Sequence, residues 1–147
     1  MEIKHAYETI VIGGGAAGLF FGAAAPAGRD ILILEKTKQT GTKLLMSGSG
    51  QCNLTHCGSI KEFLLCYGKN GNKIRPCLYR HSNLALCRFM EELGVSLIER
   101  EDGKIFPRSM DAREVRGALL HACAQNGVTI RTQAEVTAIR ALPQGSS

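Results

Sequence analysis

The chain has 147 residues, 44% of them hydrophobic and 5% aromatic, with no Trp, and a net charge of +5 from 18 basic and 13 acidic side chains. That apolar content supports a core and excludes a disordered chain, and the length fits one domain. The few aromatics argue against base stacking, and the basic residues read as a solvated surface, so nucleic acid is not an expected partner.

The stretch Ile10 to Ala25 is apolar enough to suggest a leader or a membrane span. Glu2 and Glu8 offset Lys4 and His5, however, and five glycines interrupt the run. Neither a signal peptide nor a membrane partner is expected, and the cytoplasm is the expected compartment. Six cysteines occur without any C-x-x-C spacing, so free thiols are expected rather than disulfides or zinc. The grouping of His56 with Cys52 and Cys57 reads as incidental.

In chain order, Tyr7 to Ile12 predicts a strand buried on both faces. Ala16 to Ala25 predicts a helix of small residues, ended by Pro26 and Gly28. Ile31 to Leu34 predicts a second buried strand. Between the first strand and the helix, Gly13, Gly15 and Gly18 fill the spacing G-x-G-x-x-G. Gly13 allows a sharp turn, Gly15 lets a pyrophosphate reach the backbone, and Gly18 lets the helix lie close to the strand. The first helical N–H groups and the helix dipole then face an anion. The whole is a βαβ unit with a right-handed crossover and a parallel strand pair.

Glu35 lies 17 residues beyond Gly18, at the end of the second strand. There a carboxylate can accept hydrogen bonds from both ribose hydroxyls, and it would repel a 2′-phosphate. Thr37 to Ser59 reads as a long loop rich in Gly, Ser and Thr, with an apolar island at Leu44-Leu45-Met46. A loop of that length in a compact domain is usually functional. Gly48 and Gly50 flank Ser49 and can offer backbone N–H groups, while Lys43, Ser47, Gln51 and Asn53 add polar groups.

Ile60 to Tyr67 predicts a short helix. Ser82 to Leu93 predicts a longer one, capped by Ser82, with Leu86, Met90 and Leu93 on one face and Gly94 as its stop. Val95 to Arg100 and Lys104 to Phe106 flank Glu101-Asp102-Gly103 and predict a β-hairpin stopped by Pro107. Asp111 to Gln125 predicts a helix with Val115, Leu119 and Ala122 facing inward. Val128 to Arg131 predicts a strand parallel to the first two, and Glu135 to Arg140 a further strand. Ala141 to Ser147 trails off.

The run Gly41-Thr42-Lys43-Leu44-Leu45-Met46-Ser47-Gly48-Ser49-Gly50-Gln51-Cys52-Asn53-Leu54-Thr55 resembles the loop of the aminoacetone oxidase family of FAD-binding enzymes, which includes a flavoprotein described as a bile-acid reductase. Gly103-Lys104-Ile105-Phe106-Pro107-Arg108-Ser109, with Ala112 and Val115, is similar to a second signature of that family. The likeness runs from about Ile10 to Ile139. It implies an α/β, Rossmann-like FAD/NAD(P)-binding domain with a parallel sheet. It also implies FAD as cofactor, with NAD(P)H as a candidate electron donor in the full-length enzyme and a small molecule as substrate. By the resemblance, Gly13, Gly15, Ala16, Ala17 and Gly18 would meet the pyrophosphate, and Glu35 would hold the ribose with Lys36 beside it. Lys43, Ser47, Gly48, Gly50, Gln51, Cys52, Asn53 and Leu54 would line the FAD cleft, and Val136 would contact the adenine. Thr42 and Gln51 depart from the Arg that many members carry, and Pro26 shortens the first helix.

Members of that family are longer. The resemblance therefore casts residues 1–147 as the N-terminal part of a single FAD-binding domain, incomplete at its C-terminal side and without the substrate domain. On that resemblance the chain would be a truncated gene product, a fragment or a split subunit with a separate chain supplying the rest, and the first strand would be left as an exposed edge. No residue stands out as a catalytic acid or base; His56 and His81 are the titratable candidates. Three other readings remain open. Cys52 and Cys57, spaced C-x4-C, suggest a flavin disulfide reductase. The chain could be a non-catalytic or defective nucleotide-binding fragment. RNA modification by a related flavoprotein would rest on net charge and the shared FAD motif.

Overall fold

A computed structural model of the protein describes residues 6–141. The leader reading rests partly on residues 1–5 and the tail reading on residues 142–147, which lie outside the described residues.

The first sheet grows from the predicted βαβ unit. Strand β1 (Thr9–Ile12) leads through the glycine turn into helix α1 (Ala16–Ala24) and then strand β2 (Ile31–Leu34). β1 and β2 pair in parallel, with Thr9 opposite Ile31 and Ile12 opposite Leu34. Strand β6 (Thr129–Arg131) pairs in parallel on the other side of β2, which gives the order β1-β2-β6. This is the expected parallel sheet of a Rossmann-like fold. Helix α1 packs on helix α6 (Ala112–Gln125) over one face of it. The contact is close because α1 carries small residues. A Cβ on Gly22 would lie 2.9 Å from the Cys123 Sγ and 3.0 Å from Ile33. Leu19, Ile33, Val115, Leu119 and Cys123 are buried there. Each large aliphatic side chain so enclosed contributes about 1.5–3 kcal/mol.

Helix ends follow the sequence signals. Asp111 caps α6 by accepting from the Arg113 N–H at 2.8 Å. Ser82 caps helix α5 (Asn83–Glu92) through the Ala85 N–H at 3.1 Å. Helix α3 (Ile60–Cys66) opens on a reciprocal pair between Ser59 and Glu62. Asn126 donates to the carbonyls of Gly22 and Ala23 (3.1 and 2.9 Å), satisfying the end of α1 from the partner helix.

Several sequence expectations need correction. The first strand is not buried on both faces, because Ile10 and Ile12 are 53% and 54% exposed. α1 and α6 cover one face only, and β1 is the edge of the sheet. Residues 135–140 form no strand. After Arg131 the chain turns at Gln133 (φ 55°), and the N–H groups of Gln133 and Ala134 donate to the carbonyls of Thr37 and Glu35. The backbone is thus spent on the end of β2 instead of on a new ladder. The long loop is partly ordered as helix α2 (Thr42–Met46), a tight turn at Ser47–Gly50 and strand β3 (Thr55–His56).

Strand β3 joins the predicted hairpin, strands β4 (Leu97–Glu99) and β5 (Lys104–Pro107), in a second, antiparallel sheet of order β3-β5-β4. An unpredicted helix α4 (Gly71–Arg80) packs against α3. Gly71, Asn72 and the internal Pro76 masked its helical period. Pro76 removes only one intrahelical donor. Among the described residues no helix is long and apolar enough to cross a membrane.

Candidate functional site

The site is built where β1 and β2 end. Gly13 has φ +105°, a turn that only glycine makes cheaply, and its N–H donates to the Leu34 carbonyl at 2.8 Å. A Cβ on Gly18 would lie 2.0 Å from the Gly13 carbonyl oxygen, so the helix can seat on the turn only without a side chain. At Gly15 a Cβ would meet no atom within 4 Å. The missing side chain there serves no packing inside the protein and leaves the backbone open from outside. The turn at Gly13 and the close helix seat at Gly18 are those expected of these glycines.

Gly14 is a fourth constrained glycine that the motif did not single out. A Cβ would lie 2.7 Å from the Thr40 side chain and 3.1 Å from Glu35. Its N–H donates to Glu35 Oε2 at 2.9 Å, and its carbonyl accepts from the Gly41 N–H at 2.8 Å. The second oxygen of Glu35 accepts from the Thr37 N–H and hydroxyl, both at 2.9 Å. These bonds from Thr37 first, and then Gly14 and the nearby Lys36 charge, hold the Glu35 carboxyl below its usual range despite some opposing burial. A fixed carboxylate with one lone-pair site still open, on Oε2, therefore stands beside the N-terminus of α1.

A cavity of about 1320 Å³ opens at this point. Gly13, Gly15, Ala16 and Ala17 form one wall, with Glu35 and Lys36 beside them. Lys43 and Ser47 of the α2 region, then Cys52, Asn53 and Leu54, form a second wall, and Val136 reaches it from the turned segment after β6. The cavity continues between α1 and α5, past Phe20, Leu86, Phe89 and Met90, with His81 at its rim. The Phe20 and Phe89 rings meet there with centroids 4.8 Å apart.

Gly48, Gly50 and Gln51 lie off that wall. They shape the loop behind it. Gly48, Ser49 and Gly50 run at positive φ, and Cys52 follows at φ 61°. A Cβ on Gly48 would lie 3.0 Å from the Asn53 N and 3.2 Å from Phe106. The non-glycine left-handed residues Ser49 and Cys52 mark a backbone held by its surroundings. Helix α2 is anchored by Arg116 of α6, whose guanidinium donates to the Thr40 carbonyl at 2.8 Å. The signal for Gly14 and Arg116 lay in tertiary contacts, out of reach of a local motif.

Cys52 and Cys57, the C-x4-C pair, sit in different surroundings. All six thiols are free. Cys52 is 1% exposed, and burial pushes its thiol up, partly offset by a hydrogen bond with Ser47. Cys57 faces Glu99 instead, and that hydrogen bond and burial push its thiol up too. A nucleophilic thiol needs the opposite shift. His56 is held between the carbonyls of Cys57 (2.6 Å) and Asp102 (2.8 Å), bracing the second sheet and lying off the cavity wall.

The parallel sheet, crossover helix, glycine turn and strand-end carboxylate define a Rossmann dinucleotide-binding domain. Residues 7–146 match the family described as the HI0933-like protein Rossmann domain, and the chain belongs to that family. It is 31% identical over 134 residues to the ribosomal RNA dihydrouridine synthase of Escherichia coli, covering 90% of this chain and 33% of the relative. The protein of the same name from Haemophilus influenzae is 32% identical over 133 residues, covering 90% of this chain and 32% of the relative. A 3-dehydro-bile acid delta(4,6)-reductase of Clostridium scindens is 30% identical over 138 residues, covering 92% and 33%. The chain thus spans about a third of the length of these relatives. Among solved structures, THI4 of Thermovibrio ammonificans aligns with a TM-score of 0.48 at 16% identity, covering 86% of this chain and 38% of that one.

Proposed function

We propose that this domain binds FAD and forms the cofactor-binding portion of a flavoprotein oxidoreductase of the aminoacetone oxidase and bile-acid-reductase type. The observation that carries the reading is the open backbone at Gly15 beside the fixed carboxylate of Glu35. The residues fit the group. The first-turn N–H groups of α1, near Ala16 and Ala17, would receive the pyrophosphate. Glu35 would accept from a ribose hydroxyl at Oε2, with Lys36 offsetting phosphate charge. Lys43, Ser47 and the segment from Cys52 to Leu54 would flank the cofactor, and Val136 would meet the adenine. Gly48, Gly50 and Gln51 would act behind them by holding the loop. The cavity exceeds the roughly 300–1,000 Å³ typical of small-ligand pockets and has room for an extended dinucleotide.

When bound, FAD supplies hydride chemistry with a small organic substrate, and NAD(P)H is the proposed donor in the longer protein. This chain contributes binding, orientation and exclusion of water. Titrating the protein with FAD while following flavin fluorescence tests the reading. Saturable quenching with a rise in melting temperature is expected. Unchanged fluorescence at 100-fold excess protein over the roughly micromolar Kd of an ordinary cofactor site would overturn it.

A second reading places the reduced group on RNA, favoured by the names and 31–32% identity of two relatives. Both readings share the cofactor site and differ in what is presented to it. The domain's place in a longer protein, or beside a separate chain, is part of the same proposal.

A further inference from the structure

The net charge of this chain is concentrated in one region. Between Glu62 and Glu91 there is no acidic residue, while Lys69, Lys73, Arg75, Arg80 and Arg88 fall in that stretch. Their charge equals the +5 of the whole chain, so the remainder is neutral. The structure places the stretch on α3, α4 and α5, and all five side chains are exposed. None of the five joins an ion pair among the described residues.

The geometry of α4 sorts these residues. Gly71, Ile74 and Leu78 repeat at helical spacing and are its less exposed positions. Lys69, in the turn entering the helix, and Lys73 and Arg80 fall on the opposite face, about 6 and 10.5 Å apart along the axis. Two of the chain's three tyrosines, Tyr67 and Tyr79, are exposed beside them. The Arg75 guanidinium lies over the Tyr79 ring, 5.6 Å from its centroid. Arg80 is followed by His81, and Arg88 shares α5 with Ala85; His81 and Ala85 both line the cavity. Arg80 and Arg88 therefore lie next to or one turn from residues of the cavity wall, and Lys73 and Lys69 continue the basic face away from it along α4.

We propose that this α3–α4–α5 surface docks the phosphate backbone of single-stranded RNA and presents the strand to the cavity. Lys69, Lys73, Arg80 and Arg88 contact phosphates, and the Tyr67 and Tyr79 rings and the Arg75 plane offer stacking faces for bases. An anionic membrane is the rival occupant, since Leu65 of α3 and Leu84 of α5 are exposed, but it fits less well on α4, which carries most of the basic face. A membrane-lying helix needs its apolar face turned outward, whereas Ile74 and Leu78 of α4 are its more enclosed residues. The choice of RNA among polyanions rests on the second reading above; the concentration of charge does not.

The test is fluorescence anisotropy of a labelled 20-nucleotide single-stranded RNA with the full chain, at several salt concentrations. Each phosphate contact to a single strand adds about 0.7 to the logarithmic salt slope. Four contacts predict a loss of affinity of about 50-fold between 50 and 200 mM salt. The double variant Lys73→Gln/Arg80→Gln removes two of the four contacts, so its loss over the same range shrinks to about 7-fold. The control Arg113→Gln/Arg140→Gln lowers net charge equally elsewhere and keeps the wild-type slope. Equal slopes in the two variants would overturn the proposal, as would absence of RNA binding at 50 mM salt. Binding to phosphatidylserine vesicles without binding to RNA would overturn it as well. Circular dichroism confirms that each exposed substitution leaves the fold intact. FAD titration of the same samples separates the ideas, because flavin binding without RNA binding removes this proposal alone, and the reverse removes only the flavin reading.

Discussion

Gly15 and Gly18 sit three residues apart in one motif, yet their substitution by Ala should have opposite consequences. The Cβ of Gly18→Ala would lie 2.0 Å from the Gly13 carbonyl oxygen, a backbone atom that cannot swing aside. Helix and turn must separate, and forced overpacking of this kind costs about 1–3 kcal/mol. In a domain of this size each kcal/mol lowers Tm by about 2–4 °C, so a fall of roughly 4–8 °C is expected for a cost near 2 kcal/mol. The Cβ of Gly15→Ala enters open space, and Gly15 has the ordinary extended φ of −78°. Its stability should stay within about 0.5 kcal/mol of wild type, because the weaker helix cap is offset by a stiffer unfolded chain. Its methyl, however, stands where the proposed pyrophosphate approaches. Losing one charge-assisted hydrogen bond costs about 1.5–3 kcal/mol, which weakens FAD binding about 10- to 150-fold. Thermal melts followed by circular dichroism and FAD fluorescence titration read the two effects separately. If Gly15→Ala is destabilised as much as Gly18→Ala, or binds FAD at wild-type strength, the assignment of separate roles is wrong.

Glu35 has its carboxyl held below its usual value, so its share of stability is full above the unfolded value near 4.5 and is lost as pH falls through the lower folded value. Glu35→Gln should therefore show a smaller drop in Tm than wild type between pH 5 and pH 3; an identical drop would show that the bonds to Gly14 and Thr37 carry no linkage. The thiols should separate by burial, with exposed Cys66 and Cys77 labelled quickly by a maleimide and buried Cys52 and Cys123 only on unfolding. Mass spectrometry of the native protein reads this, and early labelling of Cys52 would contradict its placement. Buried Asn83 donates to the carbonyls of His56 and Gly58, both at 3.0 Å. Asn83→Ala leaves both acceptors unpaired and should cost about 2 kcal/mol, seen as a Tm lower by roughly 4–8 °C; an unchanged Tm would mean that the second sheet does not depend on that tie.

Much of this protein was legible in the chain itself. The glycines, the continuous apolar strands and the inward spacing of Val115, Leu119 and Ala122 are local consequences of backbone sterics and helical period. They were enough for the βαβ unit, for α6, and for the positions of Glu35 and Lys43. Tertiary structure decided what depends on distant partners. Ile10 reads as a core residue by type, yet no layer covers it among the described residues. Residues 135–140 have a strand's composition, but the turn at Gln133 commits the preceding backbone to Thr37 and Glu35, which carries Val136 to the cavity. Gly48 and Gly50 looked like ligand-facing glycines and instead shape the loop behind Asn53. Helix α4 was hidden by Gly71 and Pro76, because packing against α3 outweighs poor propensity. The sequence alone determined the dinucleotide turn and its acid. The fold decided which loop residues stand at the cavity and where the positive charge gathers, because both are set by contacts between segments far apart in the chain.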